Sequence, residues 1–143
     1  MVFSGGNLLF TEERSKFNAD QVDQLLLSPI GNKINVFNLT TNIARTMPFQ
    51  NRSNIARLVL SPDHRTLISI DVDGFALIIN MIKRVVLAHF NFRDSVTAIA
   101  FSPDSKFFFV ATGTKTKIFE APAIDQKTFS PLILYKKYGN LHS

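Results

Sequence analysis

Cysteine and tryptophan are both absent from this chain of 143 residues. Without cysteine the protein can form neither disulfides nor thiolate metal sites, and nothing points to an oxidising compartment. Long hydrophobic runs are missing too, since the longest, 75–82, is interrupted by Asn80 and is too short to span a bilayer. The start of the chain lacks a secretion signal, so the glycosylation sequons at Asn38 and Asn51 carry little weight. We therefore expect a soluble intracellular chain with no membrane partner.

Acidic residues are fewer than basic ones: the chain has 16 lysines and arginines and 11 aspartates and glutamates, for a net charge of +5. This excess makes acidic partners, above all nucleic acid, worth considering. The basic residues are spread thinly, however, and no run of them exceeds two. This spacing favours solvated charges on strand edges and loops, and the alternative is a groove that tracks phosphates.

What the sequence does contain is a repeat. The tripeptide Ser-Pro-Asp begins at Ser61 and again, 41 residues later, at Ser102, and the same shift places the apolar run 67–70 on 108–111. Pro presets φ and Asp bonds the backbone ahead of it, so each tripeptide supplies a turn. A period near 41 with four short strands per unit is typical of a β-propeller blade. The pairs expected at equivalent buried positions are Leu60 with Phe101 and Ile79 with Phe119.

A third, more divergent copy lies upstream. Its second and third strands are predicted at 25–29 and 33–37, and its first strand at 7–11. In that case the polar stretch 12–24 is an enlarged turn between the first two strands. Alternatively, 17–20 is the equivalent of the Phe-Ser-Pro-Asp stretch in the last copy, and the sequence leaves both interpretations open.

The repeats predict an all-β chain that forms about three blades of an incomplete β-propeller ring. The blades are expected at about 6–48, 53–91 and 95–137. Because propellers need roughly four to eight blades, we expect a fragment or shortened product of a longer protein. The second strand of a blade lies inside its sheet, so the run Phe107 to Phe109 should be covered on both faces by neighbouring blades.

The blade pattern resembles that of WD-repeat proteins. The resemblance runs from His89 through the stretch 94–104 to a third strand ending at Phe119, where that family often has tryptophan. More narrowly, three stretches look like the N-terminal blades of the periodic tryptophan protein 2 family. They are GNLLFT (6–11), LLSPIGNKINVFNL (26–39) and HFNFRDSVTAIAFSPDSKFF (89–108).

This resemblance implies a non-enzymatic scaffold of the small-subunit processome in the nucleus and nucleolus. Such a scaffold acts in ribosome biogenesis, where the 18S ribosomal RNA precursor is processed and assembled into a ribonucleoprotein. Its implied partners are other processome proteins and, with them, small nucleolar RNA and ribosomal RNA precursor; no cofactor or small-molecule substrate is implied. The alternative is a WD-repeat protein-interaction adaptor in another intracellular pathway, which sequence motifs alone separate poorly from the first.

Four lysines are the candidates for contacts to phosphate or RNA. Lys115 and Lys117 are expected on one strand face, and Lys136 and Lys137 at a blade edge. The phenylalanines could instead supply a base-stacking platform, but most fall on strands where packing between blades needs large apolar groups. Phe92, in an expected loop beside a basic residue, stays open for either role.

No catalytic, cofactor or metal site is predicted. His64, His89 and His142 lack partners three or four residues away, so they do not form a zinc motif. His64 is expected to be a solvated turn residue, and His89 to brace a loop by a hydrogen bond. Asp71 and Asp73 are spaced as in a calcium loop, but no glutamate follows at the required distance, so a turn is the better interpretation.

Overall fold

The computed structural model describes residues 8–15, 20–113 and 115–121, together with the backbone of a last strand at 133–138. Within these residues the chain forms twelve β-strands and no helix. The strands are β1 (Leu9–Arg14), β2 (Val22–Ile30), β3 (Lys33–Asn38), β4 (Ile43–Gln50), β5 (Ile55–Leu60), β6 (Thr66–Asp71), β7 (Phe75–Asn80), β8 (Val85–Asn91), β9 (Val96–Phe101), β10 (Phe107–Thr112), β11 (Lys115–Glu120) and β12 (Ile133–Tyr138). No segment of the part described has the length and hydropathy of a membrane-spanning helix.

Each set of four consecutive strands forms one antiparallel sheet, in the orders β1-β2-β3-β4, β5-β6-β7-β8 and β9-β10-β11-β12. We call these sheets blade one, blade two and blade three. The first strands of adjacent blades contact each other, β1 with β5 and β5 with β9, so the first strand is the innermost and the fourth the outermost. The prediction of an all-β, incomplete WD-repeat propeller is confirmed.

Two apolar clusters hold the blades together. The first joins blade one to blade two and contains Leu25, Leu27, Ile34, Val36, Met47, Ile55, Leu58, Leu67, Leu77, Ile79 and Met81. The second joins blade two to blade three and contains Ile68, Ile70, Ala76, Ile78, Phe92, Val96, Phe108, Val110 and Phe119. Because successive strand residues point to opposite faces, β6 and β7 contribute to both clusters, and every residue of β6 is buried. Leu67, Ile68 and Ile70 supply apolar contacts on the two faces of β6, and the buried polar residues Ser69 and Asp71 have hydrogen-bond partners.

The shift of 41 residues is visible in atomic detail at the Ser-Pro-Asp turns. The Ser61 hydroxyl donates to Asp63 and accepts from the backbone N–H of Thr66 at 3.0 Å. The Ser102 hydroxyl donates to Asp104 and accepts from the N–H of Phe107 at 3.1 Å. The same polar atoms therefore satisfy the same backbone donors in two blades, which explains why this tripeptide recurs.

The expected equivalences hold for strand position but only in part for burial. Ile79 and Phe119 lie in the third strands β7 and β11, and both are 0% exposed. Leu60 and Phe101 both end a first strand, yet both are half-buried instead of buried. A first strand is the inner edge of its sheet, so its last residue is covered less completely than a residue of a central strand.

The predicted enlarged turn at 12–24 is wrong at both ends. β1 continues to Arg14 and β2 begins at Val22, and the register pairs Glu12 with Gln24. These polar residues fit into strands because their side chains have hydrogen-bond partners. Asp23, for example, accepts a hydrogen bond of 2.9 Å from Asn38 Nδ2. The alternative assignment of 17–20 falls largely outside the described residues.

The run Phe107 to Phe109 is covered on one face. Phe108 is fully buried against blade two, whereas Phe109, which points to the opposite face, is 37% exposed. The expectation of cover on both faces is thus met on the side of blade two alone. The predicted limits of the three blades stay a prediction.

Candidate interaction surfaces

Asp71 and Asp73, which are spaced as in a calcium loop, form a turn instead. Asp71 is buried, and its Oδ1 accepts hydrogen bonds of 3.0 Å from the backbone N–H groups of Asp73 and Phe75. Its Oδ2 accepts a third, of 3.2 Å, from the N–H of Ser53 in the segment that enters blade two. The turn interpretation is therefore confirmed, and the residues described contain no group of three or more His, Asp or Glu side chains placed to hold a metal ion.

The asparagines of both glycosylation sequons are buried and make hydrogen bonds within the fold. Asn38 is 5% exposed, and its Oδ1 accepts from the N–H groups of Thr40 and Thr41 while its amide donates to Asp23. Asn51 is 3% exposed and lies between blades one and two, where its Nδ2 donates to the carbonyl of Ser69 at 3.1 Å. Both amides are buried and leave no room for a glycan, so both side chains serve packing.

Two of the histidines are described, and they differ. His64 is an exposed turn residue as expected, with a φ of 63°, but its Nδ1 also lies 2.9 Å from the hydroxyl of the buried Thr11 and so links blade two to blade one. His89 lies on β8 and is exposed, and no residue of the described part hydrogen-bonds to its ring. The expectation that it braces a loop is wrong. His142 lies outside the described residues.

Phe92 belongs to the core. It is 4% exposed, and its ring meets those of Phe90 and Phe119 edge-on, with centroids 4.7 and 5.5 Å apart. A ring enclosed in this way offers no face to a nucleobase, so a stacking role for Phe92 is wrong. The sequence could not show this, because the residue follows the end of β8 and belongs to no strand.

The four candidate lysines lie on the two outer strands of blade three. Lys115 and Lys117 are half-buried and occupy alternate positions of β11, hence one face. In the backbone register Lys117 lies opposite Lys136, and Thr116 lies opposite Lys137 on the outermost strand, β12. The strand face and blade edge are thus as predicted, while the side chains of Lys136 and Lys137 are outside the described part. Contact of these lysines with phosphate stays a prediction.

Glu13 forms an ionic group that sequence reasoning missed. Its carboxylate accepts from Arg45 of blade one at 3.0 Å and from Arg84 of blade two at 2.8 Å. Burial lowers the pKa of Arg84, an effect that the charge of Glu13 opposes. Residues 13 and 84 are 71 positions apart, so only the stacking of the blades brings them together. This ionic group of Glu13, Arg45 and Arg84 links blade one to blade two near the protein surface.

A cleft of about 310 Å³ lies at the outer rim between blades one and two. The residues that define this rim cleft are Gln50, Arg52, Phe75, Leu77, His89 and Asn91. The guanidinium carbon of Arg52 sits 4.1 Å from the centre of the Phe75 ring, a cation–π contact. The sequence signals none of this, because the residues come from four separate elements.

Three four-stranded sheets, stacked with their first strands innermost, define the class of protein as an incomplete WD-repeat propeller. No family model matches the chain. Several curated proteins do match the chain. The chain is 38% identical over 138 residues to periodic tryptophan protein 2 homolog of Schizosaccharomyces pombe, and the match covers 96% of this chain and 15% of that protein. Identity to the Neurospora crassa homolog is 43% over 122 residues, which are 85% of this chain and 13% of that protein.

The relative from Saccharomyces cerevisiae, periodic tryptophan protein 2, is 35% identical over 139 residues, or 96% of this chain and 14% of that protein. Over the segment that they share, the chain belongs to the periodic tryptophan protein 2 family. It spans 13–15% of the length of these relatives.

Proposed function

We propose that this chain is part of a non-enzymatic WD-repeat scaffold in ribosome biogenesis. In this proposal it acts in the processing and assembly of the small-subunit (18S) ribosomal RNA precursor, within the small-subunit processome of the nucleolus. The observation that carries the proposal is its identity of 35–43% to periodic tryptophan protein 2 proteins over most of the chain, on the fold that such a scaffold requires.

The buried polar groups support a scaffold role because they are committed to structure. Asp71 and Asn51 each bond several backbone groups, and Glu13 joins two blades. A sheet stack fixed in this way presents its turns and outer strands in constant positions, which is what partner proteins need for docking without large rearrangement. Other processome proteins are the proposed partners.

RNA contact is proposed as a minor part of this function. Lys115 and Lys117 share one face of β11, and their backbone neighbours on β12 include Lys136 and Lys137. Each phosphate that a protein neutralises makes the slope of log affinity against log salt more negative by about 0.7 to 0.9. Because the group contains no more than four lysines, we expect a shallow slope, with docking dominated by protein neighbours.

The test is a crosslinking pull-down of the tagged chain from nuclear extract, beside a variant in which the four lysines are changed to glutamine. We expect both to recover small-subunit processome proteins, and the variant to recover less crosslinked ribosomal RNA precursor. Recovery of an unrelated complex by both would favour the adaptor in another pathway. If neither recovers processome proteins, the proposed function is wrong, although the fold would stand.

A further inference from the structure

The rim cleft has apolar walls and a polar opening. Phe75 and Leu77 alternate along β7, and the register places Asn91 and His89 of β8 opposite them. Leu77 is 5% exposed and continues into the core between blades one and two, so the base of the cleft is apolar. Gln50 and Arg52 close it from the side of blade one.

The charge around the cleft has one sign. Arg52 is exposed and makes no hydrogen bond or ion pair with any residue that the structure describes, so its N–H groups are available beyond the contact with Phe75. His89 adds an exposed imidazole, and none of the lining residues is acidic. The nearest carboxylates along the chain, those of Asp71 and Asp73, do not line the cleft and accept hydrogen bonds from the turn and from Ser53. An anionic group entering the cleft would meet donors and no repulsion from its walls.

The cleft also borders an open strand edge. β8 is the outermost strand of blade two, and no strand of the described part pairs with its outer side. An exposed edge presents backbone N–H and C=O groups that an extended peptide can pair with, while pockets beside the edge select its side chains. Backbone pairing and side-chain selection thus come together at 85–91.

We propose that the rim cleft binds an acidic peptide in an extended conformation along β8. A carboxylate side chain binds the guanidinium of Arg52 and reaches the imidazole of His89. An aliphatic side chain two residues along the peptide points to the same face and packs at the apolar base that Phe75 and Leu77 form. This proposal goes beyond ribosome assembly and does not depend on it. RNA fits less well, because Arg52 already covers a face of Phe75 and a base would lack an open ring on which to stack.

The test measures binding of peptides to the immobilised full chain. The probe is an end-blocked octapeptide with glutamate and valine at every second position and serine between them, so that both side chains point to one face. It is compared with the same peptide carrying glutamine for glutamate and with an octamer of uridine. We expect the glutamate peptide to bind about tenfold more tightly than the glutamine peptide, as loss of one charge-assisted hydrogen bond implies. Arg52→Gln should remove about the same factor, and Arg52→Lys less, because lysine keeps the charge but not the two-pronged geometry.

Lys83→Gln is the matched control. Lys83 is exposed, lies in the turn at the far end of β7 and β8, and carries the same charge, so its loss should leave binding unchanged. A thermal melt of each variant checks that the fold is intact. Equal binding of the two peptides, equal losses for Arg52→Gln and Lys83→Gln, or tighter binding of the uridine octamer at the same place would each overturn the proposal.

Discussion

Arg84, in the turn between the third and fourth strands of blade two, donates a hydrogen bond of 2.8 Å to Glu13 on the first strand of blade one. Both side chains are about one-fifth exposed, so the pair is screened less than a surface ion pair. Arg45 shares the same carboxylate and is 36% exposed. Two arginines converge on one glutamate, and removal of that glutamate would leave like charges facing each other.

We therefore expect Glu13→Gln to lower the free energy of unfolding by about 1–2 kcal/mol, between the values typical of exposed and of buried pairs. Urea denaturation followed by circular dichroism measures this change. Arg45→Gln is the control and should cost about 0–1 kcal/mol, because Arg45 is the more exposed partner and Arg84 keeps its glutamate. Equal losses for the two variants would show that the contact between blades contributes nothing of its own.

Phe108 and its neighbour Phe109 provide a matched pair of core and surface truncations. Phe108 is 0% exposed and stacks on Phe119 with centroids 5.1 Å apart, whereas Phe109 is 37% exposed. Phe108→Ala should cost about 3–5 kcal/mol, since it leaves a cavity between blades two and three. Phe109→Ala should cost about 1 kcal/mol or less. Chemical denaturation of both variants tests the difference, and similar losses would contradict the packing of blade three on blade two.

The repeat could be predicted from sequence because its signals come from residues that are close together in the chain. The Ser-Pro-Asp turn satisfies its backbone donors within six residues, and the strand that follows it carries apolar residues on both faces. Both signals are contiguous in the chain. They predicted the central strands of each blade and the all-β class.

Contacts between blades could not be predicted in the same way. Glu13 and Arg84 meet across 71 positions, and the polar stretch around Glu13 looked like a turn because its partners lie on other strands. Arg52 likewise gains its role from Phe75, which belongs to the next blade. Polar residues with distant partners carry no periodic signal, so the rim cleft and the ionic group required the structure.

The lowered pKa of Asp104 predicts that the stability of the folded chain depends on pH. The hydroxyl of Ser102 and then the backbone N–H of Lys106 donate to its carboxylate, and these bonds lower its pKa below the ordinary value. A carboxyl whose pKa is lowered by folding stabilises the folded state above its unfolded pKa, and this contribution is lost as pH falls through the folded pKa. Asp104→Asn should therefore lower the melting temperature at pH 6, and the difference from wild type should shrink at pH 3. A difference independent of pH would mean that the carboxylate's charge is not what stabilises the turn.

Gly74 gives the sharpest test of how blades two and three are joined. It adopts a φ of 91°, and a Cβ built on it would lie 2.3 Å from the carbonyl oxygen of Asp94 in the segment that enters blade three. Gly74→Ala must therefore both strain the backbone and displace that segment, and we expect a loss of about 2–4 kcal/mol in the free energy of unfolding. Gly113→Ala is the matched control, because its φ is not in the left-handed region and the nearest atom to a Cβ, Asp94 Oδ2, lies at 3.8 Å. That change should be nearly neutral in urea denaturation. If the two alanine variants unfold at the same urea concentration, the close approach of Asp94 to Gly74 does not exist in solution.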